Sequence, residues 1–489
     1  EIRLMGSRKG DNRKSDNKID QSKNERNVTT NIYLWGIIGV TFTFIVTCIH
    51  CDYFGNSNDI YCDNFQKWFI DHGGWMMSSI LLEKTNKYGN SLKFIRKTKE
   101  GLKIFQKEMV IETPLSLVFT RDKAMKKLAL NISPEKYRRV AHIINKYFSN
   151  NLLEQHDTWI AIDLLLECLK GDESLWFPYL QLLPEKSPRL SDFNEKEYSF
   201  LQDDILAMFG RSQRKVYVSV WNHGIQRALA DIVNISSLEA MRCLTIDSFH
   251  HYVSLVASRA MILDDELGEP TKYLTPMADM INHADNPSKN EILPSSASHF
   301  HLYHQIQKEK DSIVVYADRT FREGDIIVEE YGKLDNSLYL TAFGFVPKNN
   351  HYHCVMLPLP GHEHGDPEEC VQRDGSLLDI ELEQSLALSL LSPSFCKTTE
   401  ECWNHPERKP RLQSFWQLAA QSKLDASPTC LEEDEALLRD LGEDGVETSE
   451  SRITSLLWKG MKRNHAHLAL TYRIEEKKLL LHLAKKDIL

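Results

Sequence analysis

Residues 134–260 read as one long helical block, and segments that alternate like strands lie on both sides of it. That order restricts the chain to folds in which strands far apart in sequence close around an inserted helical region, an α+β pattern followed by a helical tail. The strand-like segments before the block are Leu92–Arg96, Met109–Pro114 and Leu117–Thr120, each short and alternating. Ahead of them, Phe65–Ile70 has the pattern of a short amphipathic helix. Inside the block, Trp159–Leu169 is apolar nearly all round, which predicts a buried helix. Ser191-Asp192 followed by Glu195 reads as an N-terminal cap, and a further helix over 246–262 carries Ser258-Arg259. Beyond 270, Ser312–Asp318 and Asp325–Tyr331 flank Arg322-Glu-Gly-Asp325, a spacing that predicts a hairpin. Asp335-Asn336 caps a short helix through Leu340. Thr429-Cys-Leu-Glu432 reads as a capping box, and His467–Leu481 as a long terminal helix. No internal repeat is present.

The N-terminal part has a different character. Residues 1–31 are polar and basic and predict disorder. Ile32–Ile49 carries no charge and reaches the lower limit for crossing a bilayer, so 32–51 reads as a membrane anchor. Basic residues precede it, and Asp52, Asp59 and Asp63 follow. The positive-inside bias then leaves the N-terminus in the cytosol and the large domain across the membrane. In that orientation Asn234-Ile-Ser236 and, less favourably before Pro134, Asn131-Ile-Ser133 become glycosylation sites. A cleaved leader for secretory or plastid delivery is the alternative. With 59 basic and 69 acidic residues the formal charge is −10, which argues against binding nucleic acid through its phosphates. Of ten cysteines, only Cys48 and Cys51 form a CxxC. No second CxxC completes a zinc site, so the remainder are expected as buried or free thiols. His299, His301, His304, His351, His353, His362 and His364 lack cysteine or carboxylate partners at ligand spacing; surface histidines and no metal are expected. Glu432–Glu435 fits a solvated helix start.

Two short segments carry the chemistry. Asp279-Met-Ile-Asn-His283 sets a polar pair beside apolar residues, and those polar groups need partners once buried. Glu330-Tyr-Gly332, followed by Phe343-Gly-Phe345, puts a phenol at a strand end before a turn. The two lie roughly fifty residues apart, so only the fold can join them.

These stretches, with Glu108–Pro114, Leu175–Pro184, Ser258-Arg259, Glu330–Ser337 and Ala342–Val346, resemble the SET-domain protein methyltransferases of the Rubisco large-subunit lysine methyltransferase type. Leu470–Leu479 resembles the end of that family's helical substrate-binding domain. The resemblance implies a β-rich SET fold over 62–360 with a helical insertion at about 126–245, then an all-α domain over 365–489 on which a protein substrate docks. It implies S-adenosylmethionine as cofactor and a lysine of a non-histone protein as acceptor. Tyr331 matches the active-site tyrosine. Asn282, His283 and Arg259 match cofactor contacts, with Asp279 bracing the loop. Phe343, Gly344 and Phe345 match the closing wall, and Glu108, Met109 and Val110 a segment reaching the cofactor from the N-terminal side. The family's glycine-rich turn ahead of Glu108 is reduced here to Gly101. A monomer is expected.

The residue types suit this chemistry. Lysine has a pKa of about 10.4 and is charged at neutral pH, whereas attack on a sulfonium methyl needs the neutral amine. An apolar channel disfavours the ammonium, aromatic faces tolerate the cation, and the Tyr331 hydroxyl can orient the nitrogen. Alignment of this kind supplies roughly 7–11 kcal/mol in favourable cases. Two other readings stand beside this one: methylation of histidine, and a catalytically silent binding module, to which the reduced glycine turn lends support.

Overall fold

A computed structural model describes residues 57–485 apart from 86–88, 95–103, 186–188, 231, 233–241, 266, 285–301, 360–367, 378, 392–394 and 443–458. The chain divides into two units, Glu1–Ile60 and Tyr61–Leu489. The basic leader, the Ile32–Ile49 run, the Cys48–Cys51 pair and the Gly101 turn lie outside the described residues, as do His299, His301, His362, His364 and Asn234. No helix among the described residues is long and apolar enough to cross a membrane.

In the larger unit the strands are β1 (Trp75–Met76), β2 (Ile80–Thr85), β3 (Gly89–Phe94), β4 (Met109–Pro114), β5 (Phe119–Thr120), β6 (Met261–Asp264), β7 (Pro270–Leu274), β8 (Asn282–His283), β9 (Tyr303–Gln307), β10 (Ser312–Tyr316), β11 (Val328–Glu329), β12 (Cys354–Pro358) and β13 (Glu368–Gln372). They form small sheets ordered β1-β4-β10-β9 and β5-β7-β6, with pairs β2-β3, β8-β11 and β12-β13. The architecture is the expected α+β. β4 pairs antiparallel with β10, Thr113 facing Ile313, and Val110, Ile111, Ile313, Val314 and Val315 are fully buried. β5 and β6 flank β7, with Phe119 opposite Leu274 and Met261 opposite Tyr273. The helical excursion therefore leaves and rejoins one three-stranded sheet.

That excursion runs through helices Arg121–Asn131, Pro134–Phe148, Leu152–Cys168, Asp204–Val220 and Ile246–Arg259. Thr120 and Ser133 cap the first two by accepting from Lys123 and Lys136 N–H groups. Leu152–Cys168 is buried on nearly every face, with Trp159, Ile160, Ala161, Ile162, Leu164 and Leu165 at 1% exposure or less. It packs against Ile246–Arg259, and its buried carboxylates are paired: Asp157 with Lys272 at 2.6 Å, Asp163 and Glu167 with Lys127. The terminal helix Arg463–Leu483 is likewise almost wholly buried, and its Arg473 and Lys477 share Asp434. The C-terminal helices enclose the β12–β13 hairpin, whose Val355, Leu357 and Val371 meet Trp416 and Leu479. The region after 365 thus contributes β13 as well as helices.

Several local expectations change. Ser312–Tyr316 and Val328–Glu329 do not form a hairpin. The turn at Arg322–Asp325 closes, but β10 pairs with β4 and β9, while the chain beyond the turn joins β3 through Ile327 N–H to Leu92 O (2.8 Å) and then pairs with β8. Long-range burial overrode the local turn. The capping box in the insertion is Asn194 with Glu197, not Ser191 with Glu195. At the C-terminal site Cys430 and Glu433 take the capping positions, since Thr429 donates to Asp434. Six of the described cysteines pair as Cys168–Cys243, Cys354–Cys370 and Cys396–Cys402. The expectation of thiols holds for Cys62 and Cys430 alone among the described residues. His304 and His353 are not surface histidines. The first bonds Glu329 at 2.7 Å, and the second is buried, held by burial at a pKa of about 4.

Candidate active site

The two polar segments meet. β8 and β11 pair in parallel, Asn282 facing Val328 and His283 facing Glu329, and Ala284 N–H donates to Glu329 O (2.7 Å). This pairing carries Tyr331 back over β8. Its backbone N–H donates to His283 Nδ1 (3.3 Å) and its hydroxyl donates to Ile281 O (2.8 Å). A neutral His283 accepting at Nδ1 carries its proton on Nε2. The Asn282 amide donates to Asn90 O (2.9 Å), Ser91 Oγ (3.1 Å) and Met280 O (3.4 Å), fastening β8 to β3.

An aromatic cluster surrounds the pair. The His283 ring lies 5.3 Å from Tyr331, 4.9 Å from Tyr339 and 5.3 Å from Phe345, centroid to centroid. Tyr331 lies 5.1 Å from Phe343, and Tyr339 lies 5.2 Å from Phe345. These separations fall in the favourable range for aromatic pairs. A short turn makes the wall. Asp335 caps Asn336–Leu338 by accepting from Ser337 and Leu338 N–H groups, and a π-type turn over Tyr339–Phe343 closes with Gly344 N–H on Tyr339 O (3.0 Å). Gly344 has φ of 74°, a backbone setting that favours glycine and sends Phe345 back beside His283. Burial pushes the Tyr331 and Tyr339 phenols up. Tyr331 therefore stays protonated and serves as a hydrogen-bond donor, not as a base.

Asp279 braces the loop from beneath. Its carboxylate is fully buried and accepts from the Tyr179 hydroxyl (2.8 Å) and Arg259 Nη1 (3.4 Å), while the same guanidinium donates to Asp279 O (2.9 Å) and lies 3.8 Å from Met280 Sδ. Burial raises the carboxyl pKa, and Arg259 opposes the rise. Asp279 Oδ1 has no hydrogen-bond partner among the described residues. Immediately before this loop Met277 sits at φ 75° while fully buried, a conformation that costs about 1–3 kcal/mol and gathers at functional sites. Arg259 is the last residue of its helix, so the helical block delivers it to the loop. Glu108 lies in an exposed turn where its carboxylate accepts from Phe105 N–H (2.8 Å). Met109 and Val110 begin β4, with Val110 in the core.

No family profile matches the chain. The ribosomal lysine N-methyltransferase set10 of Schizosaccharomyces pombe is 28% identical over 203 residues, 41% of this chain and 33% of that protein. The actin-histidine N-methyltransferase of Xenopus tropicalis is 24% identical over 44% of this chain and 35% of its own length. That of Gallus gallus is 22% identical over 87% and 68%. The chain spans about a third of the length of the first two relatives. Among solved structures, the SET domain of LSMT bound to lysine and AdoHcy superposes with a TM-score of 0.53 at 16% identity, covering 88% of this chain and 91% of that one. Rubisco LSMT bound to AdoMet gives 0.52 at 17% identity over 87% and 90%. This chain has the fold of the Rubisco LSMT structures.

Within this fold Asn282, His283, Arg259, Asp279, Tyr331, Phe343, Gly344 and Phe345 gather around one loop. Glu108 is engaged elsewhere: its carboxylate accepts from Phe105 N–H and its carbonyl from Ala317 N–H. Three residues escaped the sequence reading. Tyr339 stands four residues before Phe343, a spacing that puts two rings on one helical face; that signal was present. Tyr179 and Asn90 touch the loop from 100 and 192 residues away, and no local pattern marks such contacts.

Proposed function

We propose that this SET domain is an S-adenosylmethionine-dependent protein methyltransferase acting on the lysine side chain of a non-histone protein. The observation that carries the reading is the convergence of Tyr331 on the Ile281–His283 strand inside an aromatic enclosure. The residues suit a cationic cofactor. Asp279 Oδ1 is a buried acceptor in want of a donor, and a buried acceptor left unmet costs about 1–3 kcal/mol. Asn282, His283 and Arg259 would hold the cofactor, with Glu108–Val110 bordering it by backbone. When bound, S-adenosylmethionine supplies an electrophilic methyl group on a sulfonium.

The chain's own residues do the rest. Tyr331, Tyr339, Phe343 and Phe345 form a low-polarity wall that disfavours an ammonium and so releases the acceptor amine from its proton. The Ile281 carbonyl, already receiving the Tyr331 hydroxyl at 2.8 Å, and the phenol itself fix the line of approach of that amine. Alignment lowers the barrier with no protein nucleophile. The C-terminal helical region, built on Trp416 and Leu479, provides the surface for the protein substrate.

The lysine assignment draws on the likeness to a ribosomal lysine N-methyltransferase. The alignment with an actin-histidine N-methyltransferase over 87% of the chain favours histidine as the second reading. Incubation with isotopically labelled S-adenosylmethionine and protein extract, followed by mass spectrometry of labelled peptides, decides between them. Methyl-lysine supports the first reading and methyl-histidine the second. Failure of the chain to bind S-adenosylmethionine by calorimetry refutes both.

A further inference from the structure

The three disulfides occupy three separate places. Cys168–Cys243 joins chain segments 75 residues apart, Cys354–Cys370 spans 16 and Cys396–Cys402 spans 6, with Cα–Cα distances of 6.0, 5.3 and 5.2 Å. All three distances fall inside the range a disulfide needs without backbone movement. One such pair could arise from two buried thiols that happen to be neighbours. Three pairs, in the helical insertion, across β12–β13, and in the Ala387–Leu391 cluster, cover all the described cysteines except Cys62 and Cys430. The pairs are not halves of metal sites, because no group of three or more His, Cys, Asp or Glu among the described residues is placed to hold a metal.

Structural disulfides persist in secretory and other oxidising compartments and are reduced in the cytosol. A second, independent feature points the same way. The uncharged run Ile32–Ile49 follows a basic leader and precedes Asp52, Asp59 and Asp63. That charge asymmetry is the one expected of a secretory anchor or leader, and the secretory side is where such bonds form. We propose that the SET unit folds and works in an oxidising secretory compartment, stapled by these three bonds, and that the protein it methylates passes through the same compartment. The second half of this proposal rests on the methyltransferase reading; the first half does not.

Each bond forms when a thiol pair gives up two protons and two electrons. The acceptor is a protein or glutathione disulfide, which leaves as two thiols. Cys168–Cys243 matters most for the site. It ties the end of Leu152–Cys168 to the segment opening Ile246–Arg259, the helix whose last residue grips Asp279. Reduction therefore loosens the mount of Arg259 as well as the fold.

The test uses the full chain taken from its native cells, quenched in acid, alkylated with N-ethylmaleimide and digested without reduction. The expected result is three linked peptide pairs, with Cys62 and Cys430 alkylated once the chain is unfolded. Alkylation of all six paired cysteines overturns the compartment assignment, whatever the methylation results show. In parallel, protein methylation is compared in cells with and without this chain. Loss of methyl marks from secretory proteins supports the substrate class, and loss confined to cytosolic or nuclear proteins overturns it. Three intact bonds with no change in any methylated protein leave the compartment assignment supported and refute the methyltransferase reading, so the two failures are distinguishable.

Discussion

Arg259→Met is the most informative single perturbation of the brace beneath the site. Arg259 donates to the Asp279 carbonyl at 2.9 Å and stands 3.4 Å from its carboxylate, whose side chain is 0% exposed. Removing one partner of a buried ion pair costs about 3–5 kcal/mol, because the remaining charge is left without compensation. Across Tyr61–Leu489, an unfolding entropy of about 2.1 cal/mol/K per residue converts that loss into a Tm drop of roughly 3–6 °C. Burial already raises the Asp279 carboxyl and Arg259 holds it down, so the variant's carboxyl takes up a proton more readily. Arg259→Met/Asp279→Asn replaces the pair by neutral groups that still accept from Tyr179, and recovers most of the lost stability. Differential scanning calorimetry of the four proteins in this cycle gives the coupling. Equal losses in Arg259→Met and the double variant, with Asp279→Asn harmless by itself, would refute the argument that uncompensated burial sets the cost.

Other outcomes follow from the same geometry. Tyr339→Phe removes the hydroxyl that donates to the half-buried Gly332 O at 2.8 Å; losing that one hydrogen bond costs about 0.5–1.5 kcal/mol, measured as a lower denaturant midpoint with an unchanged m-value. Glu476 is raised by burial from its usual 4.5 to about 7, so its contribution to stability is full below pH 4.5 and is lost as pH climbs to 7. Glu476→Gln should therefore flatten the stability profile across that window and be the more stable protein at pH 8. His156 is lowered to about 4 by burial and by Arg121 and Lys272, so its contribution is full above pH 6.5 and is lost as pH falls towards 4. Difference profiles of His156→Gln against the parent should show this loss, and a flat difference would contradict it.

The sequence made the architecture readable where the pattern was strong or local. The apolar run Trp159–Leu169 could only be a buried helix, and Leu152–Cys168 is one. Asp335 announced its short turn by capping chemistry alone. Asn282, His283 and Tyr331 were legible as a pair because polar groups at apolar edges demand partners. What they bond could not be read: the Asn282 amide meets Asn90 and Ser91 across about 190 residues, a distance that only the fold spans. Asp325–Tyr331 misled for the same reason, since its turn is real but its strand partners are β3 and β8. The capping residues shifted where a stronger local donor set existed, as at Asn194. Cysteine spacing carried no trace of the pairing, because 75, 16 and 6 residues share no pattern.

The central claim is that the Tyr331 hydroxyl aligns an acceptor amine beside the Asn282–His283 strand. Single-turnover methyl transfer by the parent and by Tyr331→Phe, with S-adenosylmethionine binding measured on both by calorimetry, tests it directly. The hydroxyl donates to Ile281 O and so offers its lone pair to an amine N–H; loss of one preorganised polar contact costs about 10²–10³-fold in rate, so the variant should bind the cofactor as the parent does and transfer methyl slower by that factor. Undiminished transfer by Tyr331→Phe would contradict the account.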